Sequence, residues 1–249
     1  MKLAIIIPVY NAENTIRKAV KSIDTTHDVE IICINDGSTD RTKQVLTELQ
    51  KEVKHLIVYH QDNQGAAKSR NMGLSAMSDD IDAFMFLDAD DQFLPGKMDQ
   101  MIQYYEKNDH LDIVIGQIGR GMHGDWKVIP THEDIHREAM VSLAEAPEIL
   151  QSIGPGGKLF KAKFNTLRFD EDVVFCEEHT FVTRAYLMSR DIQLVPFIVY
   201  GYNEREGSIT DQRADTFISY LEDARKVRRE VMDMLLLVNE KAYYLSLIH

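Results

Sequence analysis

The sequence predicts an α/β fold in which a mostly parallel sheet is flanked by helices. Short runs of apolar, largely β-branched residues alternate with helical patterns through the first half of the chain. These runs are continuously apolar, which is typical of parallel strands that are covered on both faces. Each run ends in a polar loop, as in "PVYNAEN" and "DADDQF". At 249 residues the chain is of ordinary size for one such domain.

Five apolar runs in the first half predict strands, at residues 3–7, 29–34, 55–60, 82–88 and 111–115. Two stretches between them have apolar residues at helical spacing: Ile16, Ala19, Val20 and Ile23, and then Val45, Leu46, Leu49 and Val53. Such stripes predict crossover helices that pack on the sheet.

The alternation weakens after residue 115. The pattern there predicts a helix over 142–152, a helix over 177–190 and a strand over 192–200. A long terminal helix is predicted from apolar residues at alternating three and four spacings, with Arg228 interrupting the stripe: Phe217, Leu221, Ala224, Val231, Leu235 and Val238. This helix packs on its own domain or, as the alternative, forms the seam of a homodimer.

Charge and composition exclude several function classes. The formal net charge of -12 argues against an extended contact with nucleic acid or anionic lipid. Cys33 and Cys176 lack CxxC spacing, so we expect reduced structural cysteines in a cytoplasmic protein. No apolar run approaches the roughly 18 residues of a membrane helix, so any membrane association is expected to be peripheral.

The polar loops after the first four strands indicate one common site. They read "PVYNAEN", "NDGSTD", "QDNQGAAKSRN" and "DADDQF". Ligands of open parallel sheets bind in the crevice beyond the carboxyl ends of the strands, where these loops converge.

The last of these loops carries three acids, Asp88, Asp90 and Asp91. Burying them all ionised is costly without a cation, and carboxylate oxygens suit magnesium or manganese. Alternatively, Asp90 and Asp91 cap the helix that begins near Pro95, or face solvent.

Two other loops offer partners for a nucleotide. Asp36 follows a strand and can accept hydrogen bonds from a base or ribose, while Asp40 is suited to cap the next helix. Gly65 allows close approach, and Lys68 and Arg70 lie at a helix start that favours anions. Arg70 is the better diphosphate ligand because its guanidinium is a planar fork, and Lys68 alternatively lies on a solvated helix face.

The motifs in these loops resemble those of the inverting nucleotide-sugar glycosyltransferases of family 2, which have a GT-A fold. The matching segments are "IIIPVYNAENTI", "NDGSTD", "NQGAAKSRNMGL" and "FLDADD", in that order over residues 1–95. Further on, "GGKLFKAKF", "EEHTF" and "YNEREGSIT" resemble the acceptor-side segment, the "ED" motif and the arginine and serine motif.

The resemblance implies a single GT-A domain over 1–249. Its nucleotide-sugar-binding half is 1–115, its acceptor-side half is 116–210, and its C-terminal helical segment is 211–249. Members of this size often serve in the assembly of bacterial surface polysaccharides, so a cytoplasmic enzyme at the inner face of the cell membrane is expected.

The resemblance also assigns site residues. Pro8 and Tyr10 line the base pocket, Asp36 contacts the base, and Asn63 and Arg70 hold the ribose and diphosphate region. Three acids complete the implied donor site: Asp88 contacts the ribose or sugar, Asp90 binds Mn²⁺ or Mg²⁺, and Asp91 contacts the donor sugar.

Glu178 stands where the family's "ED" motif has its aspartate, the catalytic base. It would take the proton from an acceptor hydroxyl as that oxygen attacks the anomeric carbon with inversion. The alternative is a salt-bridged helix start, because acidic residues favour the first turn. Arg205 and Ser208 would belong to a segment that closes over the diphosphate, or Arg205 lies in a charged surface turn.

The resemblance therefore implies a metal-dependent transferase, and because the processive "QxxRW" pattern is missing, we expect it to move one sugar per encounter. The donor is a UDP-linked hexose or N-acetylhexosamine, and the acceptor is a hydroxyl of a glycan or lipid-linked molecule. A catalytically inactive nucleotide-sugar-binding module is the alternative, supported by glutamate in place of aspartate at Glu178. A nucleotidyltransferase is disfavoured, because "PVYNAEN" has no glycine for a phosphate loop.

Overall fold

The structure is a computed structural model that describes residues 1–122, 124–203 and 213–237. Its strands are β1 (Lys2–Val9), β2 (Asp28–Asp36), β3 (Leu56–Gln61), β4 (Ala83–Phe86), β5 (Gln92–Phe93), β6 (Ile113–Met122), β7 (Asp125–Val128), β8 (Ala139–Val141), β9 (Lys158–Lys161) and β10 (Ile192–Asn203). Its α-helices are α1 (Ile16–Lys21), α2 (Thr42–Glu52), α3 (Ala66–Ala76), α4 (Lys97–Lys107), α5 (Glu177–Met188) and α6 (Arg213–Leu237).

The strands form one sheet in the order β3-β2-β1-β4-β9-β6-β10-β5, with β7 beside β6 and β8 beside β10. Strands β3, β2, β1 and β4 are parallel to one another, and β10 is parallel to β6. Strand β9 runs antiparallel between β4 and β6. The predicted α/β fold with a mostly parallel sheet is confirmed, and its four parallel N-terminal strands bring the four polar loops to one edge.

Helices cover both faces of the sheet, because its strands are apolar on both. One core contains the buried faces of α1, α2 and α4, and the other contains those of α3, α5 and α6. Helix α3 approaches β1 closely: a Cβ on Gly73 would lie 2.3 Å from Cγ2 of Ile6. This contact sets the position of α3, which carries Arg70 near its middle.

The helix predicted over 142–152 is wrong. Strand β8 ends at Val141, a single hydrogen-bonded turn follows at Ser142, and a 3-10 helix covers Pro147–Gln151. Pro147 lacks the N–H that an α-helix needs, and it disfavours the α conformation of the preceding residue. Ala146 accordingly has φ -137° and ψ 66°.

Helix α6 packs on its own domain through two residues of the predicted stripe, Val231 and Leu235, whereas Leu221 of that stripe is 39% exposed. Val227, Val231 and Leu235 are buried in the core shared with α5. Val238 lies outside the described residues, as do Arg205 and Ser208. No helix of the described ranges is both long enough and apolar enough to span a membrane.

Candidate active site

The loops that follow β1, β2 and β3 are locked to one another at the carboxyl edge of the sheet. Asn11 accepts a hydrogen bond from the backbone N–H of Thr39 at 2.8 Å, and its own N–H donates to Oγ of Ser38 at 3.0 Å. Gly37 has φ +66°, and a Cβ there would lie 2.6 Å from the backbone nitrogen of Asn63. A side chain at position 37 would therefore separate two of the loops.

Asp36 is buried and holds the loop after β3 in place. Its Oδ1 accepts hydrogen bonds from Nε2 of Gln61 at 2.7 Å and from the N–H of Gln64 at 2.8 Å. Its Oδ2 accepts the N–H of Gly65 at 2.8 Å. A carboxylate has about four acceptor positions, so one remains for the predicted contact with a base.

The other residues predicted at the base and ribose lie at the carboxyl ends of β1 and β3. Pro8 is half-buried near the end of β1, and the Tyr10 side chain just beyond it is 52% exposed. Asn63 is exposed in the loop that Asp36 holds. Tyr10 is thus available to contact a ligand, while Asp36 fixes the loop that contains Asn63.

Arg70 joins the two halves of the site. It is buried, and its terminal nitrogens contact Oδ1 of Asp88 at 2.9 Å, Oε1 of Glu177 at 3.0 Å and Oε1 of Glu178 at 3.6 Å. The guanidinium carbon lies 5.4 Å from the centroid of the Phe169 ring. Carboxylates therefore occupy the fork that was predicted to hold the diphosphate, and that contact remains a prediction.

Glu178 has the surroundings expected of a base that operates near neutral pH. Its side chain is 26% exposed. Burial and the neighbouring charge of Glu177 raise its pKa to about 7, with Asp88 adding to the effect, while Arg70 and Lys158 oppose it. A general base is most effective when its pKa lies near the working pH.

The start of α5 is held in a conformation that places both glutamates at the site. Cys176, which precedes them, has φ +64°, in the left-handed region that side chains other than glycine seldom adopt. Asp223 of α6 accepts the N–H groups of Val174 and Phe175 at 2.9 and 3.2 Å. The helix start is salt-bridged to Arg70, as the alternative for Glu178 predicts. The Glu178 carboxylate nevertheless remains partly exposed.

Of the three acids after β4, Asp88 and Asp90 are partly exposed, whereas Asp91 is buried. The Asp88 side chain is 40% exposed and contacts Arg70. Asp91 is 1% exposed, and it accepts hydrogen bonds from the Tyr200 hydroxyl at 2.7 Å and from the Asn203 N–H at 3.0 Å. The predicted contact of Asp91 with a donor sugar thus has no support in its geometry, because both oxygens bind β10.

Asp90 is half-exposed beside them, and the chemistry of this loop fits a divalent cation. Burial and the charges of Asp88 and Asp90 raise the pKa of Asp91 to about 8, and the charge contribution to this shift is repulsion among the three acids. A cation held by Asp90 would relieve it, with phosphate oxygens and water completing the coordination. In residues 1–122, 124–203 and 213–237, no three His, Cys, Asp or Glu side chains form a metal-holding group by themselves.

Sequence reasoning missed Tyr200 and Asn203. Beyond its bond to Asp91, the Tyr200 hydroxyl accepts the N–H of Asp88 at 3.1 Å, and Nδ2 of Asn203 donates to the carbonyl of Asp90 at 2.7 Å. Both residues lie on β10, over a hundred residues from the loop they hold, and no spacing rule links them to it. The "VYGYN" stretch gave no signal of this contact.

Comparison with known proteins identifies the family of this chain. The model of the family described as "Glycosyl transferase family 2" matches residues 4–175. TagX of Staphylococcus aureus strain MSSA476 is 36% identical over 252 residues, which cover all of this chain and 71% of TagX. Glycosyltransferase GlyA of Streptococcus pneumoniae serotype 4 is 31% identical over 245 residues, which cover 91% of this chain and 34% of GlyA.

Solved structures show the same fold at lower identity. The S. aureus TarS fragment 1–349 in complex with UDP-GlcNAc has a TM-score of 0.76 and 22% identity, over 92% of this chain and 66% of the fragment. The mannosyltransferase PcManGT from Pyrobaculum calidifontis, in complex with GDP-Man and Mn²⁺, has a TM-score of 0.63 and 15% identity, over 90% of this chain and 64% of PcManGT. The chain thus spans about two thirds of the length of these structures. Together, the family match, the identity to TagX and the shared fold show that this chain belongs to glycosyl transferase family 2 and has the GT-A fold.

Proposed function

We propose that the protein catalyses metal-dependent, inverting transfer of a sugar from a UDP-linked donor to a hydroxyl group of a glycan or lipid-linked acceptor. The observation that carries the proposal is the convergence of Asp88, Arg70 and Glu178 at the edge where the nucleotide-binding loops meet. The donor and acceptor groups would then lie on either side of the buried Arg70 guanidinium.

In the proposed reaction, the acceptor oxygen attacks the anomeric carbon as the bond to the diphosphate oxygen breaks. Glu178 takes the acceptor proton, and the nucleoside diphosphate leaves with the bonding electrons. Arg70 keeps the Glu178 and Asp88 side chains at fixed positions through contacts at 3.6 and 2.9 Å. A cation at Asp90 would supply electrostatic stabilisation of the departing diphosphate.

The choice of donor is supported by likeness of fold. TarS has been crystallised with UDP and with UDP-GlcNAc, so UDP-linked hexoses and N-acetylhexosamines are the first donors to test. The cytoplasmic location at the inner membrane face and service in surface polysaccharide assembly remain part of the proposal.

The central test is release of UDP in the presence of an acceptor. Glu178→Gln should lower turnover by roughly 10²- to 10⁴-fold, the usual contribution of a general base. Glu133→Gln, at an exposed position, is the matched control and should behave as wild type. Chelation of divalent cations should stop the wild-type reaction, and added Mn²⁺ or Mg²⁺ should restore it. Unchanged turnover in Glu178→Gln would refute the assignment of the base.

Thermal shift separates this proposal from a catalytically inactive binding module. A donor present at 100 times its Kd stabilises the folded state by about 2.7 kcal/mol. Stabilisation by UDP-sugars without UDP release, across a panel of acceptors, would favour the inactive module. Release of pyrophosphate would instead indicate a nucleotidyltransferase.

A further inference from the structure

Lys158, the first residue of β9, places a fully buried amino group outside the predicted site. Its Nζ donates hydrogen bonds to Oγ of Ser152 at 2.7 Å and to the carbonyl oxygen of Gly154. Among the described residues, no carboxylate lies within ion-pair distance of this nitrogen. Burial of an ammonium group without such a partner costs stability, so its presence calls for a functional reason.

Apart from Lys158, the groups bonded to Ser152 are neutral. Nδ1 of His132 accepts the N–H of Ile118 at 3.2 Å, so the ring proton lies on Nε2, which faces Oγ of Ser152 at 2.8 Å. Burial and the charge of Lys158 lower the pKa of His132 to about 3. The Tyr186 hydroxyl of α5 donates to the carbonyl of Ser152 at 3.1 Å. The positive charge of this network is therefore that of Lys158.

The packing of β9 on α5 brings Lys158 and the proposed base to the same side of the sheet. Lys158 and Phe160 lie on one face of β9, because side chains in a strand alternate. The Phe160 ring centroid lies 5.8 Å from that of Phe181 in α5. Glu178 precedes Phe181 by three residues and so shares its helix face.

Electrostatics agree with this placement. Burial lowers the pKa of Lys158 to about 7, and the charge of Glu178 opposes that lowering. At Glu178 itself, Glu177 and Asp88 favour the neutral acid, while Arg70 and Lys158 favour the carboxylate.

Two neighbours of Glu178 at the start of α5, His179 and Cys176, add no charge at neutral pH. Burial lowers the pKa of His179 to about 4. Burial and nearby carboxylates raise the pKa of Cys176 to about 11. Arg70 and Lys158 are thus the two cations that act on Glu178 from the elements packed around it.

We propose that Lys158 is a positioning residue for the reaction base, and that its buried ammonium group acts across the β9–α5 interface to keep Glu178 in its ionised, proton-accepting form. The inference rests on the proposed role of Glu178. The test measures the titration midpoint of Glu178 and does not require turnover. Failure of the inference and failure of the proposed function can therefore be distinguished.

The experiment follows the titration of Glu178 by NMR in protein labelled with ¹³C at the glutamate carboxyl groups, with Glu178→Gln identifying the resonance. Lys158→Met removes the charge and keeps a side chain of similar length. Lys161→Met is the matched control: it removes a cation from the same strand, where Nζ of Lys161 instead contacts the carbonyl of Asp109.

We expect the titration midpoint of Glu178 to rise by about one pH unit in Lys158→Met and to stay unchanged in Lys161→Met. The acidic limb of the pH profile of kcat/KM should move by the same amount. An unchanged midpoint in folded Lys158→Met would overturn the inference, as would an equal loss of activity at every pH.

If Lys158→Met does not fold, the reciprocal measurement decides. Coupling between two titrating groups is mutual, so Glu178→Gln should lower the midpoint of Lys158 in protein labelled with ¹³C at the lysine Cε. A midpoint that does not change would contradict the inference. Absence of sugar transfer, with a normal shift in midpoint, would refute the proposed function alone.

Discussion

The loop after β4 and the start of α5 each contain two adjacent acids, but these acids differ in exposure and in their partners. Asp91 is 1% exposed and both of its oxygens bind β10, whereas the Glu178 side chain is 26% exposed and contacts Arg70 at 3.6 Å. Burial raises the pKa of both groups. A raised pKa therefore does not identify a base, and partners and exposure separate a structural carboxyl group from one that can reach a substrate.

The largest effect on this comparison should come from Arg70→Met. It leaves Asp88, Glu177 and Glu178 without their shared cation, and breaking a buried ion pair costs about 3–5 kcal/mol. The loss should be greatest above pH 7, where Glu178 is ionised and adds to the repulsion, and smaller at pH 5, where Glu178 is protonated. Urea denaturation at pH 5 and at pH 8 measures this loss of stability.

Arg41→Met is the control for this substitution. The Arg41 side chain is 77% exposed and pairs with Glu13 at 3.2 Å, so its removal should have little effect at either pH. Equal losses at pH 5 and pH 8 in Arg70→Met would mean that Arg70 acts through packing, including its contact with Phe169.

Asp91→Ala should lower stability by about 2–3 kcal/mol, because it leaves the Tyr200 hydroxyl and the Asn203 N–H buried without their acceptor. Tyr200→Phe removes one of the same bonds, so the losses of the double variant should not be additive. Chemical denaturation of the four proteins in this cycle gives the coupling. Full stability of Asp91→Ala together with weaker donor binding would restore the predicted sugar contact.

The sequence predicted the N-terminal half well because its fold depends on local patterns. Continuous apolar runs identified β1, β2, β3, β4 and β6, and the rule for parallel sheets identified the edge where their loops meet. It also proposed Asp40 as the cap of α2, but the N-cap is Arg41, and Asp40 lies one residue before it and accepts the N–H of Thr42 at 2.9 Å. These features need no knowledge of distant contacts.

The parts that were missed depend on contacts between distant residues. The bond between Asp91 and Tyr200 joins residues 109 positions apart. Strand β9 is only four residues long and lies between β4 and β6, so its pairing depends on the sheet more than on its own pattern. Burial of Lys158 follows from that position, whereas lysine in a sequence ordinarily indicates a solvated surface.

The smallest expected effect is a gain in stability in Glu178→Gln. The folded-state pKa of Glu178, about 7, lies above the ordinary value of 4.5, so ionisation disfavours the folded state as pH rises between these values. The glutamine variant lacks this penalty. It should match wild type near pH 4 and exceed it by about 1–2 kcal/mol at pH 8.

Thermal or urea denaturation of Glu178→Gln at pH 4 and pH 8 measures this difference, with Glu133→Gln as the exposed control. A gain in stability together with lost turnover would show a carboxylate retained for chemistry at a cost to folding, in contrast to Asp91. A variant less stable than wild type at pH 8 would mean that pairing with Arg70 outweighs burial. Glu178 would then be a salt-bridged helix start, and the base would have to be sought among the other acids around Arg70.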